Sequence, residues 1–426
     1  MKSLILICLL SFVLLNCASY TQETAKIRSL FLNKNFSEAL SELEQSSLKQ
    51  DSKSRLLYLL EKAMIYDRLG EKEKFRRTLL DADKVVDRLF TTSVINTVST
   101  LIINESSSDY RGENYEQVAL HVLLALSFLE EDQLNEARIS AKKINERLYA
   151  ITQDLGDRNN SYREDAFARY LAGIIYELNG EYDDAIIDYK KALKIYEASS
   201  YKRFYQPGVL PQVAEALYRL AKLRNRQSIL SQLEKNYPKL TKPALSETDK
   251  DAQIIVFHEI GHTSVKKTRE FLINVGKQIV RFSFPFVSKS KAFQYGPTGL
   301  SLDDGKFLQA NNTVDMNSLA HYSLEERRLR LVAKGIGRIL LKSQLTRKVH
   351  DEFGPLAGIL ANVAVAATET ADTRGWTLLP ESFWCTRVRV KSGRHKITIK
   401  TNGLVNEIID VNIPPNGYLV YRVWSS

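Results

Sequence analysis

Apolar residues recur three or four positions apart through most of the first 240 residues, the spacing that gathers them on one face of a helix. The clearest stretch covers residues 165–198. Ala168, Leu171, Ala172, Ile175 and Leu178 form one stripe, Asn179-Gly180 interrupts it, and Tyr182, Ala185, Ile186, Tyr189, Ala192 and Leu193 resume it. Glycine at such a break is free to take the left-handed conformation that ends a helix. The small side chains of Ala172, Ala185 and Ala192 let two helices approach closely. The same plan is predicted, more weakly, over residues 30–43 (turn at Asn33-Lys34-Asn35), 63–80 (turn at Leu69-Gly70), 118–148 (turn near Asp132) and 213–233. Beyond residue 250 the period changes. Residues 253–258 and 278–286 are β-rich runs. Four more, 383–390, 395–400, 405–411 and 418–424, are separated by Ser-Gly, Asn-Gly and Pro-Pro-Asn-Gly turns, as consecutive antiparallel strands require. Helices over 319–350 and 356–368 interrupt the strands.

The helix-turn-helix unit resembles a tetratricopeptide repeat. Such units bury a continuous core only when several stack, and the stack offers a concave surface for proteins or peptides. The expected fold class is α+β: an N-terminal all-α tetratricopeptide-repeat array, then an α+β domain ending in an antiparallel β meander. The expected boundaries are 1–16 for a signal peptide, 17–24 for a tether, 25–240 for the array, 241–252 for a linker and 253–426 for the α+β domain. Pro238 and Pro243 would stop helix propagation near that linker.

The N-terminus changes the picture of where this chain works. Lys2 precedes an apolar run of about a dozen residues ending at Leu15, the length of a signal-peptide core and too short for a transmembrane helix. The run ends Leu14-Leu15-Asn16-Cys17, which resembles a bacterial lipobox. That resemblance implies cleavage before Cys17, acylation of its thiol and, with Ala18 following, an outer-membrane location facing the periplasm. Asn16 departs from the usual small residue before the cysteine. Of the three cysteines, Cys8 would leave with the signal peptide and Cys17 would carry lipid. Cys385 alone would then remain as a thiol, so neither an internal disulfide nor a multi-cysteine zinc site is expected.

One string invites a catalytic reading. His258-Glu259-Ile260-Gly261-His262 matches the HExxH pattern of zinc peptidases, in which two histidines one helical turn apart bind the metal and the glutamate activates its water. The surroundings point to a strand instead, since Ile254-Ile255-Val256-Phe257 precedes it. On a strand His258 and His262 would lie roughly 13 Å apart, too far for one zinc ion. Glu325 or Glu326 is the conceivable third ligand.

Charge is unevenly placed. From residue 251 onward, 24 lysines and arginines face 15 aspartates and glutamates. Arg330, Lys334, Arg338 and Lys342 recur every four residues with Arg327 beside them, a basic helical face suited to an anionic membrane or polymer, or simply to solvent. No aromatic-basic pattern for nucleic acid is present.

Three segments, Tyr110-Arg111-Gly112-Glu113-Asn114-Tyr115-Glu116, residues 165–173, and Ala371-Asp372-Thr373-Arg374-Gly375-Trp376 followed by Leu378-Leu379-Pro380, resemble a family of uncharacterised bacterial envelope lipoproteins with tetratricopeptide repeats and an α+β tail. The resemblance spans nearly the whole mature chain and brings no catalytic residue or cofactor with it. The expected function is that of a lipid-anchored, non-enzymatic scaffold whose repeats bind envelope proteins. Arg374 and Trp376 are candidates for a partner surface, or for a structural corner. The alternatives are a zinc peptidase built on His258, Glu259 and His262, and a lipoprotein that binds cell-wall polymer.

Overall fold

The computed structural model describes residues 20–93, 105–155, 162–202, 211–239, 251–275, 278–288, 296–303, 305–353 and 371–425. Cys17, the 356–368 segment and most of the expected linker lie outside them.

Five helix pairs fill the first half: α1 (Ala25–Leu32) with α2 (Phe36–Gln45), α3 (Arg55–Arg68) with α4 (Lys72–Ser93), α5 (Asn114–Glu130) with α6 (Leu134–Leu155), α7 (Ala166–Leu178) with α8 (Tyr182–Glu197), and α9 (Pro211–Leu223) with α10 (Gln227–Asn236). Every pair turns in the same way. Lys34, Gly70, Asp132, Gly180 and Asn225 hold φ between 53° and 76°. The residue after each one donates its N–H back to a carbonyl five residues earlier, as in Asn35 to Leu30, Glu71 to Tyr66 and Glu181 to Tyr176. This is the Schellman ending, in which a left-handed residue satisfies carbonyls that the helix leaves open. The repeat thus lies in the backbone of the turn as much as in the apolar stripes.

The first helix of each central pair differs from the second in composition, and burial explains why. From Ala166 to Glu177 every residue of α7 is buried, and α5 is buried along almost its whole length. A helix apolar on all sides needs neighbours on all sides. Sister helices cover one face and a sheet covers the other. Within α7, Gly173 lies against α8 so closely that an added Cβ would sit 2.5 Å from the Tyr189 ring. Gly173→Ala is therefore expected to destabilise the chain by about 2 kcal/mol despite alanine's better helix propensity. Urea unfolding checks this; an unchanged midpoint would show that the Tyr189 ring moves aside freely.

Among the described residues the second half forms three sheets. The central one runs in the order β10 (Tyr418–Ser425), β1 (Ala252–Ile260), β7 (Ser382–Val390), β6 (Asn311–Asp315), with β10 parallel to β1 and the other pairs antiparallel. A second runs β5 (Leu308–Gln309), β4 (Gly299–Leu302), β8 (Gly393–Thr401), β9 (Leu404–Ile413). The third is a two-stranded ribbon of β2 (Lys267–Val275) and β3 (Gln278–Phe286), beside the long helix α11 (Met316–Phe353). No helix among the described residues is long and apolar enough to cross a membrane.

Strand alternation in β1 divides the core in two. Ile255 and Phe257 point to the helical array, where they join Phe383, Cys385 and Val420 in one continuous core with the repeats. Ile254 and Val256 point the other way and pack with Leu300, Ile397 and Ile399 of the second sheet. Array, central sheet and outer sheet are successive layers, with β1 buried on both faces.

The α+β class is as the sequence predicts, but the final strands take a different course from a simple meander. β8 and β9 pair as a hairpin in the outer sheet, whereas β7 and β10 flank β1 in the central one. Turn signals mark where strands end. They do not say which sheet the next strand joins, and the near-continuous apolar run of β1 draws partners to both its edges.

Candidate functional site

Two of the three segments that carry the family resemblance meet in space. The 110–116 segment opens α5, and the 371–380 segment lies across it in the seam between array and sheets. Glu116 takes three hydrogen bonds: from the Tyr110 hydroxyl at 2.5 Å, from the Glu113 N–H at 2.9 Å and from the Trp376 N–H at 2.8 Å. Glu113 reciprocates as the N-cap of α5, completing a capping box. Its own carboxylate is gripped by Lys266 at 2.6 Å and by Arg327 at 2.5 Å. Gly112, at φ 77°, supplies the left-handed bend that delivers the chain into this cap.

Glu61 of α3 holds the next part of the same segment. It accepts from the Thr377 N–H (2.7 Å), the Thr377 hydroxyl (2.8 Å), the Leu378 N–H (3.0 Å) and the Tyr20 hydroxyl (2.8 Å). Burial pushes the carboxyls of both Glu61 and Glu116 above the ordinary range, and the hydrogen bonds they accept oppose that shift only in part. Glu113 goes the other way: burial alone would raise it, but Arg327 and Lys266 hold it well below the usual range. On the far side Thr263 closes the seam, its hydroxyl donating to the Trp376 carbonyl and its N–H to that of Leu379.

Arg374 and Trp376 are therefore not a surface for an outside partner. Trp376 is 1% exposed. Arg374 is buried too, pairing with Asp372 at 2.8 Å, donating to the Ser108 carbonyl at 2.9 Å and lying 5.4 Å from the Tyr110 ring centroid. They form the structural corner. Perturbed carboxylates gathered in one place often mark an active site. Here their oxygens receive donors from the chain itself, so what the arrangement holds is residues 374–380 of the same molecule, which turn at Thr377-Leu378.

Two further clusters fasten the array to the central sheet. Arg422 of β10 reaches Glu259 at 2.7 Å and Asp67 at 3.1 Å, with Glu130 at 3.8 Å, while Arg68 takes the other Glu259 oxygen at 2.5 Å. Arg387 of β7 reaches Glu177 at 2.7 Å and the Tyr189 hydroxyl at 2.8 Å, and Arg219 also contacts Glu177. Burial would raise Glu177, yet Arg387 and Arg219 bring its carboxyl down to about 2.

These contacts correct the peptidase reading. His258 and Glu259 stand on β1, so neighbouring side chains leave opposite faces of the sheet. Glu259 enters the array to meet Arg68 and Arg422. His258 enters the space between the sheets, where its Nδ1 lies 2.9 Å from the Thr401 hydroxyl. His262 comes after Gly261, which turns the chain at φ 62°, and its Nδ1 lies 3.2 Å from the Thr263 carbonyl. The helical geometry that HExxH chemistry needs is replaced by a strand and a turn. Among the described residues no group of three or more histidine, cysteine, aspartate or glutamate side chains could hold a metal ion.

Burial lowers the His258 imidazole to about 4. Its folded value lies below the unfolded one, so the contribution is present above about pH 6.5 and lost as pH falls toward 4. Acidification through that window is expected to remove about 3 kcal/mol from this site. A His258→Leu variant should show a flatter stability-pH slope between pH 4 and 6.5 in urea titrations. Parallel slopes would mean that the ring is hydrated in the folded chain.

The basic face of α11 is only partly as expected. Arg327 faces inward to Glu113, and Lys334 is half-buried. The side chains of Arg330, Arg338 and Lys342 lie outside the described residues.

No family model matches the chain, and no curated protein matches it. Among solved structures it is similar to nearly identical TPR-like repeats of kinesin light chain type from Podosopora anserina, at 16% identity over 53% of this chain and 95% of that one, with TM-score 0.32. Residues 41 to the end of MamA from Desulfovibrio magneticus RS-1 match at 12% identity over 53% and 95%, with TM-score 0.30. BtubC from P. vanneervenii matches at 15% identity over 53% and 77%, with TM-score 0.32. Of the three, the first is described as a protein of TPR-like repeats.

Proposed function

We propose that this protein is a lipid-anchored, non-enzymatic envelope scaffold, attached through an acylated Cys17 and binding protein partners through its helical repeats. The observation that carries the reading is the division of labour among the helices. The first helices of the three central pairs are committed to the protein's own sheets and to residues 374–380, while those of the outermost pairs also expose Leu32 and Leu223. The second helices carry apolar side chains outward, with Leu80 on α4, Ile139 and Tyr149 on α6, and Ile187 on α8 all exposed. Partners would accordingly meet the outer row of helices, while the inner row holds the α+β domain in place.

Photo-crosslinking in cells tests this. A photoreactive amino acid at Ile139, Tyr149 or Ile187 should give discrete adducts of higher mass, and one at the buried Leu123 should give none. Outer positions as silent as Leu123 would sink the scaffold reading. Loss of the acyl mass on the N-terminal peptide after Cys17→Ser tests the anchor separately.

A further inference from the structure

We infer that the β2–β3 ribbon is a membrane-contacting element that lies on an anionic lipid surface at headgroup level beside the acyl anchor. The inference rests on the reading of Cys17 as the lipidated residue. The end of β3 packs on α11, where Phe284 is buried, but β2 has only β3 beside it, and a two-stranded ribbon gains little stability in water from its own pairing. This one is long, and Lys267 through Leu272 are all exposed. Leu272 is 75% exposed and Phe271 47%, on opposite faces of the strand. Phe271 stacks on Phe284 with ring centroids 5.6 Å apart, and Arg269 lies over the Phe286 ring at 4.6 Å. An apolar rim with cations beside it fits the boundary between headgroups and acyl chains.

Charge and chain geometry point to that one surface. Across residues 267–286 the sequence carries Lys267, Arg269, Lys277 and Arg281 against a single acid, Glu270. The N-terminus is fixed at the root of the ribbon: the Thr21 hydroxyl donates to the Lys266 carbonyl at 2.9 Å, one residue before β2 begins. Tyr20, tied to Glu61, locks the same point. Cys17 is four residues from Thr21, a reach of at most about 14 Å. An acyl group there keeps the bilayer within reach of Lys266, so the ribbon extends from the point nearest the membrane. Open backbone edges are costly inside hydrocarbon, which places the ribbon in the interface and not across the bilayer. The ribbon would set the orientation of the protein, where the acyl chains alone set only its attachment.

The test uses the full mature chain with a Leu272→Cys substitution, labelled with an environment-sensitive nitrobenzoxadiazole dye. Cys385 stays silent because it is buried and its thiol is pushed up to about 12. Vesicles of phosphatidylethanolamine and phosphatidylglycerol are added. A severalfold rise in emission at position 272, quenched by spin-labelled lipid, is the expected result, with no change for dyes at Ile139→Cys or Ile408→Cys. Mass spectrometry of the Cys17 peptide reads the anchor in the same sample. An acylated chain whose 272 dye still reports water overturns the membrane role of the ribbon and leaves the anchor standing. An unacylated chain whose 272 dye enters the lipid overturns the anchor and leaves the ribbon contact. Signal at 139 or 408 in place of 272 overturns the orientation. Substituting Lys267→Glu and Arg269→Glu together should abolish the 272 signal if anionic headgroups are what the ribbon meets; a retained signal would overturn the electrostatic part.

Discussion

An Arg422→Ala variant is expected to lose about 4 kcal/mol of folding stability, the largest effect of any single substitution considered. Three acids converge on this guanidinium from three elements: Asp67 at the end of α3, Glu130 at the end of α5 and Glu259 on β1. Burial opposes the charge on Arg422, and the three acids together hold its pKa above the ordinary arginine value. Burial alone would likewise raise Asp67, but Arg422 and Arg68 keep it low. Taking the cation away strands carboxylates where water does not reach them. The loss should then be partly reversed by Glu259→Gln in the Arg422→Ala background, since the second substitution removes a charge that has lost a partner. Urea titrations of the two single variants and the double variant measure this coupling. Additive losses would show that the acids rehydrate locally and that the cluster is not a unit.

The second large effect is expected at Glu61. Glu61→Ala removes the acceptor of two backbone N–H groups and two hydroxyls, all in the seam between array and sheets. Unsatisfied buried donors cost about 1–3 kcal/mol each, and partial rehydration will share some of them, so about 3–4 kcal/mol is expected. Glu61→Gln is expected to lose about half as much. One glutamine oxygen can still accept from Thr377 and Tyr20, while the amide NH2 is set against the Leu378 N–H and repels it. Hydrogen exchange localises the effect: the amides of Thr377 and Leu378 should become labile first. If Ala and Gln behave alike, the oxygen that serves Thr377 is not what holds the segment.

What could be read from the sequence divides along the reach of the interactions. The turns were legible, because Asn33-Lys34-Asn35, Leu69-Gly70 and Asn179-Gly180 act on their own neighbours and the left-handed backbone is a local requirement. The helix stripes were legible for the same reason. The HExxH string was also answerable locally, since four β-prone residues before His258 outweigh a five-letter match. The seam was not legible. Glu61 and Thr377 are 316 residues apart, and Glu116 and Trp376 are 260 apart. Nothing near Trp376 says whether it faces solvent or a carboxylate. A faint signal did exist: α5 and α7 carry so few charges that they need cover on every side, and only the sheets could provide it. β2 was not legible either, because Lys267, Arg269 and Glu270 break up its apolar residues. That mixture belongs to a strand exposed on both faces, as Lys267 through Leu272 are, not to a half-buried strand with a clean alternation.

The place of β1 in the central sheet governs the order in which this chain can mature. Both of its neighbours, β7 and β10, come more than 120 residues later, and β10 lies at 418–425. A chain emerging N-terminus first therefore completes its repeats while the inner helices are still without their cover. Until the last strand arrives, the apolar surfaces of α5 and α7 stand open and Asp67, Glu130 and Glu259 wait for their cation. During that interval the uncovered apolar faces are open to self-association. Losing only the last nine residues would leave it in that immature state for good.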